Sequence, residues 1–62
     1  MIQVGDVIEL RSGKAFKVLC GQADSLVEGD LVVVEIDEDN NDKGSPIDFK
    51  ITPSTPIMDI IR

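Results

Sequence analysis

Strand signals dominate this chain, which is a series of short β-prone runs separated by Gly, Pro and acidic residues. Residues 31–36, Leu-Val-Val-Val-Glu-Ile, are the most β-prone of these runs, and both faces of a strand there would be apolar in its first half. Residues 8–11 and 47–51 alternate apolar and polar side chains, which is typical of strands buried on one face. The pattern predicts an all-β fold in which the strand at 31–36 is central or covered on both sides.

Side-chain alternation also predicts how the first two strands are joined. A two-residue loop at Ser12-Gly13 would mix apolar and polar side chains on each face, whereas a three-residue loop at 12–14 keeps the apolar residues together. The three-residue loop predicts three opposite pairs: Leu10 with Phe16, Ile8 with Val18, and Glu9 with Lys17. Cys20 follows on the face of Phe16 and Val18, so we expect it to be a small buried hydrophobe rather than a nucleophile.

The middle of the chain contains two stretches that do not read as strands. Residues 21–29 are expected to form a connection, with room for one helical turn at 24–26. Residues 37–46 are polar and contain Gly and Pro, so they predict the turn that leads into a fourth strand.

The last third of the chain predicts two more strands. In residues 47–51, the alternation should direct Ile47, Phe49 and Ile51 inward. Residues 53–56, Pro-Ser-Thr-Pro, predict a short turn. Residues 57–61 are ambiguous between strand and helix, and we favour a fifth strand because five residues are too few for a stable helix.

This order of elements resembles the SH3-like barrels, whose layout is two strands, a connection, two strands joined by a hairpin, a short turn and a closing strand. Residues 4–13, Val-Gly-Asp-Val-Ile-Glu-Leu-Arg-Ser-Gly, are similar to the start of KOW-type members, in which a Gly-Asp turn leads into the first strand. The resemblance spans residues 4–61 and implies a single domain, residues 1–62, folded as a small five-stranded SH3-like barrel with a short turn or 3-10 segment before the last strand.

The same resemblance carries over no functional residue. Peptide-binding SH3 domains read proline-rich ligands on a groove of Tyr and Trp, and this chain has neither residue type. Nucleic-acid binders of the KOW type use basic loops, whereas the corresponding long loop here is acidic.

Charge is concentrated in the middle of the chain. Twelve Asp and Glu residues against six Lys and Arg residues give a formal net charge of −6, and residues 23–42 contain eight acids and no base. A field of this sign repels phosphate and attracts cationic surfaces, which argues against direct binding of nucleic acid. A basic patch of Arg11, Lys14 and Lys17 offers no aromatic side chains for base stacking, so we interpret it as counter-charge.

The densest group of carboxylates is the predicted partner-binding site. It holds five acids within eight residues: Glu35, Asp37, Glu38, Asp39 and Asp42. A solvated hairpin tip, a recognition surface for a basic protein and mimicry of nucleic-acid phosphates all explain such a group. Calcium binding is disfavoured, because position 6 of an EF-hand-like loop that begins at Asp37 is Asp42 rather than Gly.

Composition excludes most catalytic chemistry. There is no His and only one Cys, so the chain lacks a histidine base, a Cys–His pair and an internal disulfide. We therefore expect a non-enzymatic protein-binding module with no cofactor and no metal. Its expected partner is a protein with a basic surface, in the manner of the inhibitors and adaptors that phages and mobile elements direct at host machinery.

Two alternative functions stay open. A core of this size is marginal by itself, and the first alternative is therefore a structural assembly component that forms homo-oligomers through exposed strands. The other alternative is a nucleic-acid-mimicking inhibitor of a DNA- or RNA-binding protein.

The longest apolar run, residues 31–34, is far shorter than the roughly 20 residues of a membrane span. The first residues show no signal-peptide pattern, and we expect no membrane association and a cytoplasmic location.

Overall fold

The computed structural model describes residues 2–23 and 29–61 of the 62-residue chain. These residues form five strands: β1 (Val7–Leu10), β2 (Ala15–Ala23), β3 (Gly29–Ile36), β4 (Ile47–Ile51) and β5 (Ile57–Ile61). Neighbouring strands are antiparallel and lie in one sheet in the order β4-β3-β2-β1-β5. The two described ranges contain no helix. The predicted all-β fold is confirmed, and the closer resemblance to SH3-like barrels stays a prediction.

The turn between β1 and β2 begins one residue earlier than predicted. The backbone N–H of Gly13 donates to the carbonyl of Leu10 at 3.0 Å, and the N–H of Leu10 donates to the carbonyl of Lys14 at 2.9 Å. Gly13 has a φ of +95°, the left-handed conformation that glycine adopts at the last position of three-residue hairpin loops. The loop is therefore residues 11–13, because only Gly13 can occupy that position without strain.

This turn changes the register of the first hairpin. Ile8 lies opposite Phe16, and Glu9 lies opposite Ala15. The predicted pairs Leu10–Phe16, Ile8–Val18 and Glu9–Lys17 are therefore wrong. The slip is two residues along the partner strand, and an even slip leaves every side chain on the face that alternation assigned to it.

The strand β2 changes face along its length. Its pairing with β3 shifts register between Val18 and Cys20, which makes Leu19 the extra residue of a β-bulge. Because the bulge interrupts the alternation, Cys20 does not follow Phe16 and Val18 into the interior, and it is exposed. The predicted burial of Cys20 is wrong for this reason.

Both ends of the predicted connection at 21–29 are strand. The strand β2 continues to Ala23 and β3 begins at Gly29, and these two residues lie opposite each other. The helical turn expected at 24–26 lies outside the described residues.

The strand β3 is central, as predicted, with β2 on one side and β4 on the other. Val33 and Val34 point to opposite faces and are both buried. The predicted strand at 47–51 is confirmed as β4, and Ile51 is buried. Ile47 is 48 % exposed instead of inward and covered, because it begins a strand that has a described neighbour on one side only.

The core lies on one face of the sheet. Its buried residues are Ile2, Ile8, Phe16, Val18, Ala23, Leu31, Val33 and Ile51. Leu10, Phe49, Ile57 and Ile60 pack against them and are partly buried. Ile2 reaches this core because its backbone N–H and carbonyl each bond Ala23 at 3.0 Å, a contact that the sequence pattern did not predict.

The turn at 53–56 and the strand at 57–61 are confirmed. The hydroxyl of Thr55 accepts from the N–H of Thr52 at 2.9 Å, and the carbonyl of Pro56 accepts from the N–H of Arg11 at 3.0 Å. The first bond lies within the corner, and the second connects the corner to the residue that follows β1. In the described part of the chain, no helix has the length and apolar character needed to cross a membrane.

Candidate functional site

Two loops leave the same end of the sheet and enclose a cleft. The strands β1, β2 and β3 are consecutive antiparallel neighbours, so the β1–β2 turn and the loop after β3 lie at one end. The space between them, here named the acidic cleft, has a volume of about 720 Å³. It is lined by Val7, Glu9, residues 12–15, residues 35–40, Lys43 and Ile61.

The floor of the acidic cleft is apolar and lies on the sheet face opposite the core. Four strand residues form it: Val7, Ala15, Ile36 and Ile61. Val7 lies next to Ile8, and Ala15 lies next to Phe16, so alternation turns them away from the core. Ile36 is buried, whereas Ile61 is 46 % exposed. This arrangement leaves aliphatic surface accessible beside charged residues.

Carboxylates outnumber lysines in the acidic cleft. Its acids are Glu9, Glu35, Asp37, Glu38 and Asp39, and its lysines are Lys14 and Lys43. Four of the five predicted partner-binding acids thus lie together, and Asp42 is not among the lining residues. Glu9 belongs to a different strand and was not predicted. Its outward position follows from alternation in β1, but its closeness to the loop after β3 depends on strand order.

Asp37 organises the loop after β3. Its Oδ1 atom accepts from the backbone N–H groups of Asp39 at 2.9 Å and Asn41 at 3.0 Å. The backbone of Asp37 also bonds this loop, since its carbonyl accepts from the N–H of Asn40 and its N–H donates to the carbonyl of Asn41, both at 3.0 Å. Asn40 has a φ of +64°, a conformation that Asn tolerates better than most residues. The predicted acidic tip is therefore an ordered loop built around one of its own carboxylates.

Two more of the predicted acids pair with lysines. Lys43 Nζ lies 3.6 Å from Glu35 Oε2, and Lys17 Nζ lies 3.2 Å from Asp42 Oδ1. Both pairs have solvent-exposed atoms, so each contributes little to stability. Lys17 is thus engaged with Asp42 rather than with Glu9 as predicted.

Glu38 and Asp39 are exposed acids of the cleft that neither accept from the loop backbone nor pair with a lysine in the described part of the chain. Among the described residues, neither side chain has a hydrogen-bond or ion-pair partner. They project from a loop that Asp37 holds in place, so their charges are available to a ligand without rearrangement of the loop. The described residues contain no cluster of His, Cys, Asp or Glu that could hold a metal ion.

Comparison with protein-family models, curated proteins and solved structures finds no match to this chain. The functional assignment therefore depends on the geometry and charge of the acidic cleft.

Proposed function

We propose that this chain is a non-enzymatic protein-binding module that takes a cationic segment of a partner protein into the acidic cleft. The observation that carries the proposal is the combination of an aliphatic floor with five carboxylates in one concave surface. Lysine and arginine side chains have an apolar stem and a charged head, and such a surface offers each part a matching contact.

The charge of the cleft supports a cationic ligand. Among the described residues, only Lys43 offsets a lining acid by a direct ion pair, with Glu35, and Glu38 and Asp39 face solvent. Glu9 also lies directly opposite Asp59 in the β1–β5 pairing, where like charges oppose folding. A cationic group beside Glu9 would relieve that repulsion, so binding and local stability favour the same ligand charge.

The apolar floor supports a protein ligand over a simple cation. Val7 and Ile61 lie opposite each other across β1 and β5, and Ala15 and Ile36 lie opposite each other across β2 and β3. These two aliphatic pairs form the floor of the cleft, on the same sheet face as Glu9, which lies opposite Ala15. Burial of apolar surface adds affinity that does not depend on salt, whereas the carboxylates supply the orientation and the salt dependence.

Selection from a displayed peptide library tests the proposal. The purified chain is immobilised at low ionic strength and the enriched peptides are sequenced. We expect enrichment of Lys or Arg next to aliphatic residues, because these match the walls and the floor. The affinity of a synthetic enriched peptide should fall as salt is raised, since exposed charges are screened within about 10 Å at 0.1 M ionic strength.

Paired variants then locate the binding site. The double substitution Glu38→Gln with Asp39→Asn removes two charges from the cleft and leaves the Asp37 bonds intact. We expect the double variant to bind the peptide at least about tenfold more weakly, which corresponds to roughly 1.4 kcal/mol of binding free energy. The matched control, Asp30→Asn with Asp48→Asn, removes two exposed charges outside the cleft and should leave the affinity within about twofold. Equal losses in the two variants, or a library that enriches no basic residue, would refute the proposal.

A further inference from the structure

The strand β4 is a regular edge of the sheet. Within the described residues it pairs with β3 alone, and that pairing covers Ile47 to Ile51 without a register shift. Ile47 is 48 % exposed although it shares a face with the buried Val33 opposite it. A straight edge strand with exposed apolar surface is a template for pairing with another strand.

The sequence of β4 is complementary to itself in the antiparallel direction. We propose that two copies of this chain associate through their β4 edges about a two-fold axis at Phe49. In this register Asp48 lies opposite Lys50 of the second copy, and Lys50 lies opposite its Asp48. The exposed Ile47 lies opposite Ile51 of the second copy, so this pair places no charge on the core face. A two-fold contact of this kind is closed, because each copy uses the same surface.

Charge selects this register over its neighbours. A shift of two residues in either direction keeps the faces matched but places Asp48 opposite Asp48, or Lys50 opposite Lys50, of the second copy. Like charges directly opposite each other disfavour strand pairing. Pro46 and Pro53 lie on either side of β4, and since proline has no N–H to donate, they limit the new ladder to the strand itself.

The other edge of the sheet does not support the same association. The strand β5 contains a register shift, with Asp59 opposite Glu9 and Ile57 opposite Leu10, so Met58 is the extra residue of a bulge. Bulges twist an edge away from further pairing. A symmetric pairing of two β5 strands about their middle residue would also place Asp59 opposite Asp59. These features distinguish β4 as the edge that accepts a second copy.

The proposed dimer is independent of the binding function. No residue of β4 lines the acidic cleft, so association through β4 leaves the clefts of both copies open. A five-residue ladder buries little surface, and interfaces below roughly 1,200 Å² in total belong to weak or transient complexes. We therefore expect a dimer that forms only at high protein concentration.

Sedimentation equilibrium over a wide concentration range tests the association. The wild-type chain should shift from its monomer mass of 6.7 kDa toward twice that value. Lys50→Glu places Glu opposite Asp48 of the second copy and should weaken association at least tenfold. Asp48→Lys combined with Lys50→Asp exchanges the two charges and should restore it. Arg11→Glu, an equal charge change in the β1–β2 turn at an exposed residue outside the cleft, should associate as the wild type does.

Because Lys50 also lies opposite Asp30 within one copy, circular dichroism must show that each variant is folded at the dilution where it is monomeric. A wild-type chain that stays monomeric at its solubility limit would overturn the proposal. Growth into species larger than a dimer would also overturn it, since a closed two-fold contact cannot extend. If Lys50→Glu associates as strongly as the wild type, or if the exchanged pair does not restore association, the proposed register about Phe49 is wrong.

Discussion

Asp37, at the scale of single residues, differs from the other acids of the cleft because its carboxylate bonds the backbone. Two N–H groups of the loop donate to one of its oxygens. Glu38 and Asp39 instead face solvent and contribute through the field that they create. These acids look equivalent in the sequence. In the structure, Asp37 holds the loop in its conformation, whereas Glu38 and Asp39 contribute to the negative electrostatic potential of the cleft.

We expect Asp37→Ala to destabilise the chain by about 1 kcal/mol, since a net hydrogen bond contributes roughly 0.5–1.5 kcal/mol and the loop is partly solvated. Asp37→Asn keeps an oxygen acceptor and should retain most of that stability. Urea unfolding measures the difference. Asp39→Ala, which removes an equal charge two residues away, should change the free energy of unfolding by less than about 0.5 kcal/mol. If Asp39→Ala costs as much as Asp37→Ala, the bonds of Asp37 do not hold the loop.

At the scale of elements, β2 determines the shape of the sheet. It pairs with β1 near its start and with β3 along its length. The bulge at Leu19 and Gly21, which has a φ of +87°, both lie between the part of β2 that pairs with β1 and the end of the strand at Ala23. Bulges and glycines inside strands mark bends, and the bend brings Ala23 to the backbone of Ile2.

Gly21→Ala should be among the most damaging substitutions in the sheet. A Cβ atom at Gly21 would lie 2.6 Å from the backbone oxygen of Asp30, and the left-handed conformation itself costs an L-residue about 1–2 kcal/mol. Gly13→Ala is the matched control, because Gly13 has a φ of +95° and no heavy atom within 4 Å of such a Cβ. Gly13→Ala should therefore lower the free energy of unfolding only by the cost of placing alanine in the left-handed conformation.

Thermal unfolding followed by circular dichroism separates the two costs. Overpacking typically adds about 1–3 kcal/mol, so Gly21→Ala should melt well below Gly13→Ala or fail to fold. Similar melting temperatures for the two variants would mean that β3 moves away from the added methyl group at little cost.

At the scale of the whole molecule, the chain is close to the lower size limit for an independent fold. A chain of about 60 residues buries only about 60 % of the surface exposed when it is unfolded. With a single cysteine, no internal disulfide can compensate. The core therefore depends on residues from distant parts of the chain, including Ile2 at one end and Ile51 near the other.

Ile2→Ala should cost about 2–5 kcal/mol, the usual range for removing a buried aliphatic side chain. Since small domains have total stabilities of about 5–15 kcal/mol, this loss would be a large fraction of the free energy of unfolding. Val4→Ala, in the same segment but at an exposed side chain, should stay within about 0.5 kcal/mol of the wild type. Denaturant titration of both variants provides the measurement, and equal stabilities would show that the first residues are not part of the core.

The all-β fold could be predicted from the sequence because alternation and turn residues are local signals. The strand at 47–51, the turn at 53–56 and the strand at 57–61 follow from side chains within a few positions of one another. The group of acids at 35–42 could be read in the same way. The exposure of Cys20 and the register of the first hairpin could not, since a bulge at Leu19 and the position of Gly13 in its turn are backbone features that alternation does not encode.

What the sequence determined by itself is therefore the class of fold and the sign of its charge. Only the tertiary structure decided that Glu9, Val7 and Ile61 join the acidic loop in one cleft, and that β4 rather than β5 is the regular edge. The physical reason is that side-chain periodicity depends on neighbours along the chain, whereas a cleft or an edge depends on which strands lie side by side, and strand order is set by packing of the whole core.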